Sequence, residues 1–236
     1  MKNILAFETS GPVLSVALGT RDGLVRELHS KIRLKHSENL IPLVERLLRR
    51  ERLSLEKVEA FAIDRGPGSF TGLRIGFSFL KGLLAARKKP CYGALSLDMI
   101  AEKIKLAEDS RLGVLVDARR ETIYSRFYLC RKGEWVSEGK PEILSLSQLK
   151  GRLQEGTRLT GDALVNYRVP LEETFGNRIH FLHPESWFPS AASLVRWFQA
   201  SDPRLSLLKS PTDFLPLYFR VSEAEEKRRI VMSHGH

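Results

Sequence analysis

The 236-residue sequence predicts two successive copies of one α/β layout. Three observations carry this. Apolar runs of strand length alternate with helix-period stretches along the chain. The order β-β-β-α-β-α-β-α is followed by a second, weaker β-β-β-α. Each copy opens with an apolar strand ending in a carboxylate, Glu8 in one and Asp117 in the other.

Ile4–Phe7, Val13–Leu18 and Leu24–His29 read as strands, separated by the turn signals Ser10-Gly11-Pro12 and Arg21-Asp22-Gly23. A helix follows, with Ser37 as candidate N-cap, Glu38 in the first turn, and Leu40, Ile41, Val44, Leu47 and Leu48 at helical spacing. Val58–Ile63 is a strand-length run, residues 64–70 a loop, and a second helix is expected from about Thr71 to Arg87. Cys91–Ala94 is a strand and a third helix follows Ser96. In the second half, Leu112–Val116 runs into Asp117, Ile123–Leu129 alternates, and Glu134–Glu138 completes a meander. Helices are expected at Ser147–Gln154, Asp162–Tyr167 and Ala191–Ala200, with a strand at Leu215–Phe219 before the charged segment Glu223–Arg229. This duplicated α/β pattern is that of the actin-like ATPase (ASKHA) fold, two ribonuclease-H-like domains facing across a cleft. The expected division is residues 1–104 and 105–236, the second domain truncated. No short period repeats, so solenoids are excluded.

Apolar content of 42% supports a buried core, and no run approaches the roughly 18 residues that span a bilayer. Ile4-Leu5-Ala6-Phe7 stops at Glu8, too short for a signal-peptide core. Cys91 and Cys130 form no CxxC pair and have no His at ligand spacing, so neither a disulfide framework nor a structural zinc site is expected. These features lead to the expectation of a cytoplasmic protein with no membrane partner. Lys+Arg number 38 against 28 Asp+Glu, a net charge of +10. The basic runs are Arg49-Arg50 with Arg52, Arg87-Lys88-Lys89, Arg119-Arg120 and Lys227-Arg228-Arg229. They fit either attraction of a polyanion such as RNA or cations closing helix C-termini.

An ATPase of this architecture needs an acid and a close-approaching turn in each copy, so that backbone N–H groups cradle phosphate oxygens. Glu8-Thr9-Ser10-Gly11 is tolerable for that need, although Glu8 and Asp117 are more simply read as acids that end strands. Asp117-Ala118-Arg119-Arg120 has no glycine and two bulky cations, so half of the phosphate site is read as missing. Gly66-Pro67-Gly68-Ser69-Phe70-Thr71-Gly72-Leu73-Arg74 joins a strand to a helix and lacks the G-K-[ST] ending of a P-loop. It suits an anion at the helix N-terminus, with Gly68 and Ser69, or close packing along Gly72, Gly76 and Ser78, and packing is favoured. His36-Ser37-Glu38 contains one histidine where a zincin needs two a helical turn apart, and an N-cap serine beside a lone histidine accounts for it.

Five stretches together resemble the family of the tRNA threonylcarbamoyladenosine biosynthesis protein TsaB, also called YeaZ. They are Ile4-Leu5-Ala6-Phe7-Glu8-Thr9-Ser10, Lys35-His36-Ser37-Glu38-Asn39-Leu40, the run from Arg65 to Gly76, Asp117-Ala118-Arg119, and Pro216-Leu217-Tyr218-Phe219-Arg220-Val221-Ser222-Glu223-Ala224-Glu225. The region from about 130 to 210 matches loosely. Two departures stand out: Glu8 where the family more often has Asp, and Asp64-Arg65 where smaller residues are common.

The resemblance implies an actin-like fold with a decayed nucleotide site, no catalytic residue, no metal and no cofactor of its own. It implies a non-catalytic partner of the paralogous enzyme TsaD, which forms N6-threonylcarbamoyladenosine at position 37 of tRNAs reading codons that begin with A. TsaE completes the bacterial assembly, ATP/ADP is used by TsaD and TsaE, and a homodimer forms when TsaD is absent. Carried onto this sequence, the interface involves Leu40, Leu43 and Leu47 with Thr71, Gly72 and Gly76. The nucleotide neighbourhood involves Glu8, Thr9, Ser10, Gly68, Ser69 and Asp117. The rival readings are an autonomous ATPase or kinase using Glu8 and Asp117, and a metalloprotease.

Overall fold

A computed structural model describes residues 2–30 and 35–217. In chain order the elements are β1 (Ile4–Glu8), β2 (Ser15–Gly19), β3 (Val25–His29), α1 (His36–Arg50), β4 (Ala60–Asp64), α2 (Phe70–Ala86), β5 (Cys91–Ala94) and α3 (Ser96–Glu102). The second half adds β6 (Arg111–Asp117), β7 (Thr122–Arg131), β8 (Glu134–Ser137), β9 (Glu142–Ser145), α4 (Leu146–Arg152), β10 (Arg158–Thr160), α5 (Leu164–Phe175), β11 (His180–Phe181), α6 (Ala191–Ala200) and β12 (Ser206–Leu207).

The two sheets repeat one topology. The first is ordered β12-β5-β4-β1-β2-β3 and the second β11-β10-β6-β7-β8, with β9 also on β7. In each, an antiparallel meander (β1-β2-β3, β6-β7-β8) is extended by parallel strands on the other side of the opening strand (β4-β5, β10-β11). Two ribonuclease-H-like sheets in tandem make this an actin-like fold.

Every residue of β1, β2 and β4 is buried, because the first sheet is covered on both faces. On one face Leu5, Phe7, Val16, Phe61 and Ile63 pack with Leu40, Leu43, Leu47 and Phe77 from α1 and α2. On the other, Ala6, Ala17, Ala60 and Ala62 keep the surface low, and α6 lies there through Ala191, Leu194, Val195 and Trp197. α3, reciprocally, packs Leu97, Ile100 and Ala101 on Leu112, Val114 and Tyr128 of the second sheet. Arg126 Nη1 reaches both carboxylate oxygens of Asp98 (2.7 and 2.8 Å), and Tyr128 OH donates to Asp98 Oδ1 (2.7 Å), fixing α3 there.

A single cut after residue 104 therefore does not follow the packing. Each sheet takes a covering helix from the other half of the chain, and β12 pairs with β5 of the first sheet. Local details differ too. α1 starts at His36 with Lys35 at the cap, and the Ser37 side chain makes no cap bond. α4 starts one residue early because Ser145 forms the capping box, accepting from Gln148 N at 3.3 Å while Gln148 Oε1 accepts from Ser145 N at 2.8 Å. α5 continues to Phe175 with Pro170 inside it. The strand expected at Leu215–Phe219 is not formed over 215–217. Its remainder, most of the closing Pro216–Glu225 motif, and Glu223–Arg229 lie outside the described residues. Among the described residues no helix is long and apolar enough to cross a membrane.

Candidate functional site

β1 and β4 run parallel in the register Phe7↔Ile63, so Glu8 and Asp64 end neighbouring strands together. That edge, outside the carboxyl ends of parallel strands, is where open α/β sheets bind ligands. Both acids are fully buried. Glu8 Oε1 accepts from Ser10 N (2.7 Å), Ser10 Oγ (2.8 Å) and Gly11 N (2.9 Å), and Asp64 Oδ1 accepts from Gly66 N (2.6 Å). The second oxygens, Glu8 Oε2 and Asp64 Oδ2, receive no donor from the described residues. Burial, reinforced by the Asp64 charge, holds the Glu8 carboxyl well above its usual range, and burial pushes Asp64 up to about 6. One proton shared between the two carboxyls satisfies both oxygens.

The turn is pinned from outside as well. Buried His36 donates from Nε2 to Gly11 O at 2.8 Å. Ser69 N donates to Ser10 O at 2.7 Å, and Ser69 Oγ caps α2 by accepting from Gly72 N at 3.2 Å. A Cβ on Gly68 would lie 2.6 Å from Ser10 O. These contacts commit Ser10 N–H and Ser69 N–H, two of the donors that the anion reading drew on, within the protein. The N–H groups a phosphate-binding turn would present are turned onto the protein's own Glu8 carboxyl, and the glycine loop is pressed against the turn it was expected to flank.

The second copy is built alike from different residues. Asp117 Oδ1 accepts from Arg119 N (2.8 Å), Arg119 Nη1 lies 3.3 Å from Asp117 Oδ2, and Asp162 Oδ1 accepts from Asp117 N (2.9 Å). Burial pushes Asp162 up to about 6. Arg119, Arg120 and Glu121 all take positive φ (63°, 49° and 58°), a left-handed run of side chains where a phosphate turn places glycine. Asp162, just beyond β10, answers to Asp64 at the end of β4. The duplicated layout is the signal that could have singled it out.

The expected interface residues are placed elsewhere than expected. Leu40, Leu43 and Leu47 are buried in the core under α1. Gly72 and Gly76 are buried against β1: a Cβ on either would fall under 3.0 Å from Thr9, its carbonyl oxygen in one case and Oγ1 in the other. The small stripe thus serves close packing within the molecule, and of the six residues only Thr71 is exposed. Beside it lies an open groove of about 490 Å³ between α1 and α2, lined by Ile41, Phe70, Thr71, Arg74, Ile75 and Phe79 among others. Ile41 and Phe70 are 52% and 40% exposed, and the Arg74 guanidinium lies 5.3 Å from the Phe70 ring centre. A stripe at core spacing identified the helix but named its inward face.

Comparison with known proteins fits this architecture. Residues 24–151, more than half of the chain, match the family model described as TsaD: tRNA N6-adenosine threonylcarbamoyltransferase. The chain is similar to the tRNA threonylcarbamoyladenosine biosynthesis protein TsaB of Escherichia coli K12, 30% identical over 64% of this chain and 66% of that one. It is also similar to TsaB of Buchnera aphidicola from Schizaphis graminum, 22% identical over 86% of this chain and 96% of that one. The solved structure of YeaZ from Pseudomonas aeruginosa superposes with a TM-score of 0.72 at 25% identity, covering 93% of this chain and 100% of that one. From the family model and these relatives together, the chain belongs to the TsaB, or YeaZ, family within the group defined by the TsaD domain.

Proposed function

We propose that this chain is a non-catalytic partner of TsaD in forming N6-threonylcarbamoyladenosine on tRNA, at position 37 of tRNAs that read codons beginning with A. One observation carries the reading: the turn after β1 donates Ser10 N, Ser10 Oγ and Gly11 N to Glu8 Oε1, so those groups are committed before any phosphate arrives. A nucleotide would have to displace a buried carboxyl and open a turn held by His36. The rival ATPase or kinase reading needs those donors free.

Docking is assigned to the groove between α1 and α2, where Ile41 and Phe70 offer apolar anchors and Arg74 a charged rim. In this reading TsaD occupies the groove in the cytoplasmic assembly, a second copy of the chain occupies it when TsaD is absent, and TsaE joins the complex. ATP/ADP turns over on TsaD and TsaE. The names of the relatives and the family description support the pathway.

The test is co-purification of tagged chain with TsaD of the same organism, alongside calorimetric titration of the free chain with MgATP. A stable complex, with no micromolar nucleotide binding by the free chain, is expected. Micromolar MgATP binding lost in Asp117→Ala would replace this reading with the ATPase one.

A further inference from the structure

The groove lies between the first turns of α1 and residues 70–79 of α2, and beyond it the segments that follow the two helices are tied together. There the chain passes from α1 through residues 51–58 and meets the segment that leaves α2. Arg87 pairs with Glu56, and Lys89 Nζ donates to the carbonyls of Glu56 (3.0 Å) and Val58. Two basic runs far apart in sequence are thereby brought to one surface.

Residues 45–57 and 81–89 hold nine Lys or Arg against three Glu, a net +6 out of +10 for the whole chain. The three glutamates include Glu56, bound to Arg87, and Glu51, shared by Arg26 (3.6 Å) and Arg50 (3.8 Å). Arg46, Arg49, Arg52, Lys81 and Lys88 are exposed, and no carboxylate among the described residues lies within ion-pair distance of them. Helix dipoles account for only part of this. Arg49 and Arg50 sit in the last turn of α1, but the last turn of α2 holds no basic residue, and Arg87, Lys88 and Lys89 come after it.

We infer that this basic end is an RNA-backbone contact, through which the chain holds tRNA by its phosphates while the opposite end of the same two helices holds the protein partner. The choice of RNA rests on the pathway reading above. Firm binding to an anionic membrane surface draws on apolar side chains buried beside the cations as well as on charge. Among the described residues the exposed large apolar ones, Ile41, Phe70, Val136, Val165, Val169, Leu207 and Leu215, all fall outside these two segments. Phosphate contacts of this kind carry no base specificity, so they serve to hold and orient the tRNA rather than select it.

The test is fluorescence anisotropy of labelled, unmodified tRNA titrated with the free chain. About five phosphate contacts predict that affinity falls roughly 10²–10³-fold between 50 and 200 mM salt. Arg49→Glu/Arg52→Glu/Lys88→Glu should weaken binding at least tenfold and flatten the salt slope by about three. Lys105→Glu/Lys132→Glu/Lys140→Glu, an equal change of charge elsewhere on the surface, should shift it less than threefold. Acetylation footprinting of the unaltered chain covers the case of a misfolded variant, with tRNA expected to shield Lys81 and Lys88 but not Lys132 or Lys140. Equal losses in both triple variants, the reverse footprint, binding of phosphatidylserine vesicles as tight as that of tRNA, or no tRNA binding at 50 mM salt would each overturn the inference. The two readings fail separately. A chain required for tRNA modification but unable to bind RNA defeats only this inference, and an RNA-binding chain that modification does not require defeats only the pathway reading.

Discussion

The glycines of α2 allow the packing against β1 to be tested directly. Gly82 has open space around a would-be Cβ, so Gly82→Ala should stabilise the protein by about 0.5–1 kcal/mol through helix propensity alone. For a chain of this size that raises Tm by roughly 1–4 °C. At Gly76 the same gain meets a Cβ far inside 3.0 Å of Thr9 Oγ1, with Thr9 Cγ2 at 3.2 Å and Cβ at 3.3 Å. Overpacking of this kind costs about 1–3 kcal/mol. Net of propensity, Gly76→Ala should lose about 1–2 kcal/mol and roughly 2–8 °C. At Gly72 the obstacle is the Thr9 carbonyl oxygen, which no rotamer change can move, so the loss should sit at about 3 kcal/mol. The buried Thr9 Oγ1 has no hydrogen-bond partner among the described residues, so Thr9→Ala removes the obstacle at Gly76 without breaking a bond seen there. Thr9→Ala/Gly76→Ala should therefore recover about 1 kcal/mol or more over the sum of the single variants, while Thr9→Ala should not rescue Gly72→Ala. Urea and thermal denaturation of the series read this out. Parent-like stability in Gly76→Ala, or the absence of coupling to Thr9, would mean that the α2 stripe faces something other than β1.

Three further variants probe the rest of the molecule. The folded chain keeps protons on Glu8 and Asp64 to higher pH than the unfolded chain, so their contribution is fully present below the ordinary carboxylate range and is lost as pH rises, through about 6 for Asp64. Glu8→Gln, which can accept the same three bonds and donate to Asp64, should be more stable than the parent at pH 8 by an amount that shrinks toward pH 4; a pH-independent difference in urea midpoint contradicts the shared proton. Ser69→Ala removes the α2 cap and should lose about 1 kcal/mol, checked by the same denaturation, with an unchanged midpoint counting against the cap. Phe70→Asp should keep the parent Tm while weakening capture of TsaD at least tenfold in the co-purification assay; unaltered capture would place the docking face elsewhere.

The amphipathic period of α1, the apolar runs of β1, β4 and β6, and the glycine loop between β4 and α2 are local signals, and each lies close to where the sequence indicates. What sequence could not supply is partnership across distance. Glu8 and Asp64 meet only because β1 and β4 are paired in parallel, and nothing local marks Thr9 as the surface that Gly72 and Gly76 accommodate. β11 and β12 are two residues long each, too short to carry a period, and exist through pairing with β10 and β5. α6 was visible as a helix, but its place on the first sheet follows from the alanines of β1, β2 and β4, which read as ordinary strand residues until the two faces are told apart. The exposed Ile41 was hidden among the apolar positions of α1, since period alone does not separate the last residue of a core stripe from an anchor outside it.

In its proposed role the chain enables TsaD without performing the chemistry. That role is tested most directly by tRNA threonylcarbamoylation with TsaD, TsaE and the threonylcarbamoyl-adenylate synthase of the same organism, with and without this chain. A parallel reaction contains the chain alone with threonylcarbamoyl-adenylate and tRNA. Modification that requires both the chain and TsaD, with none from the chain alone, is the predicted result. Modification by the chain alone would overturn the non-catalytic reading and turn attention to the strand ends that carry Glu8 and Asp64 in one sheet and Asp117 and Asp162 in the other.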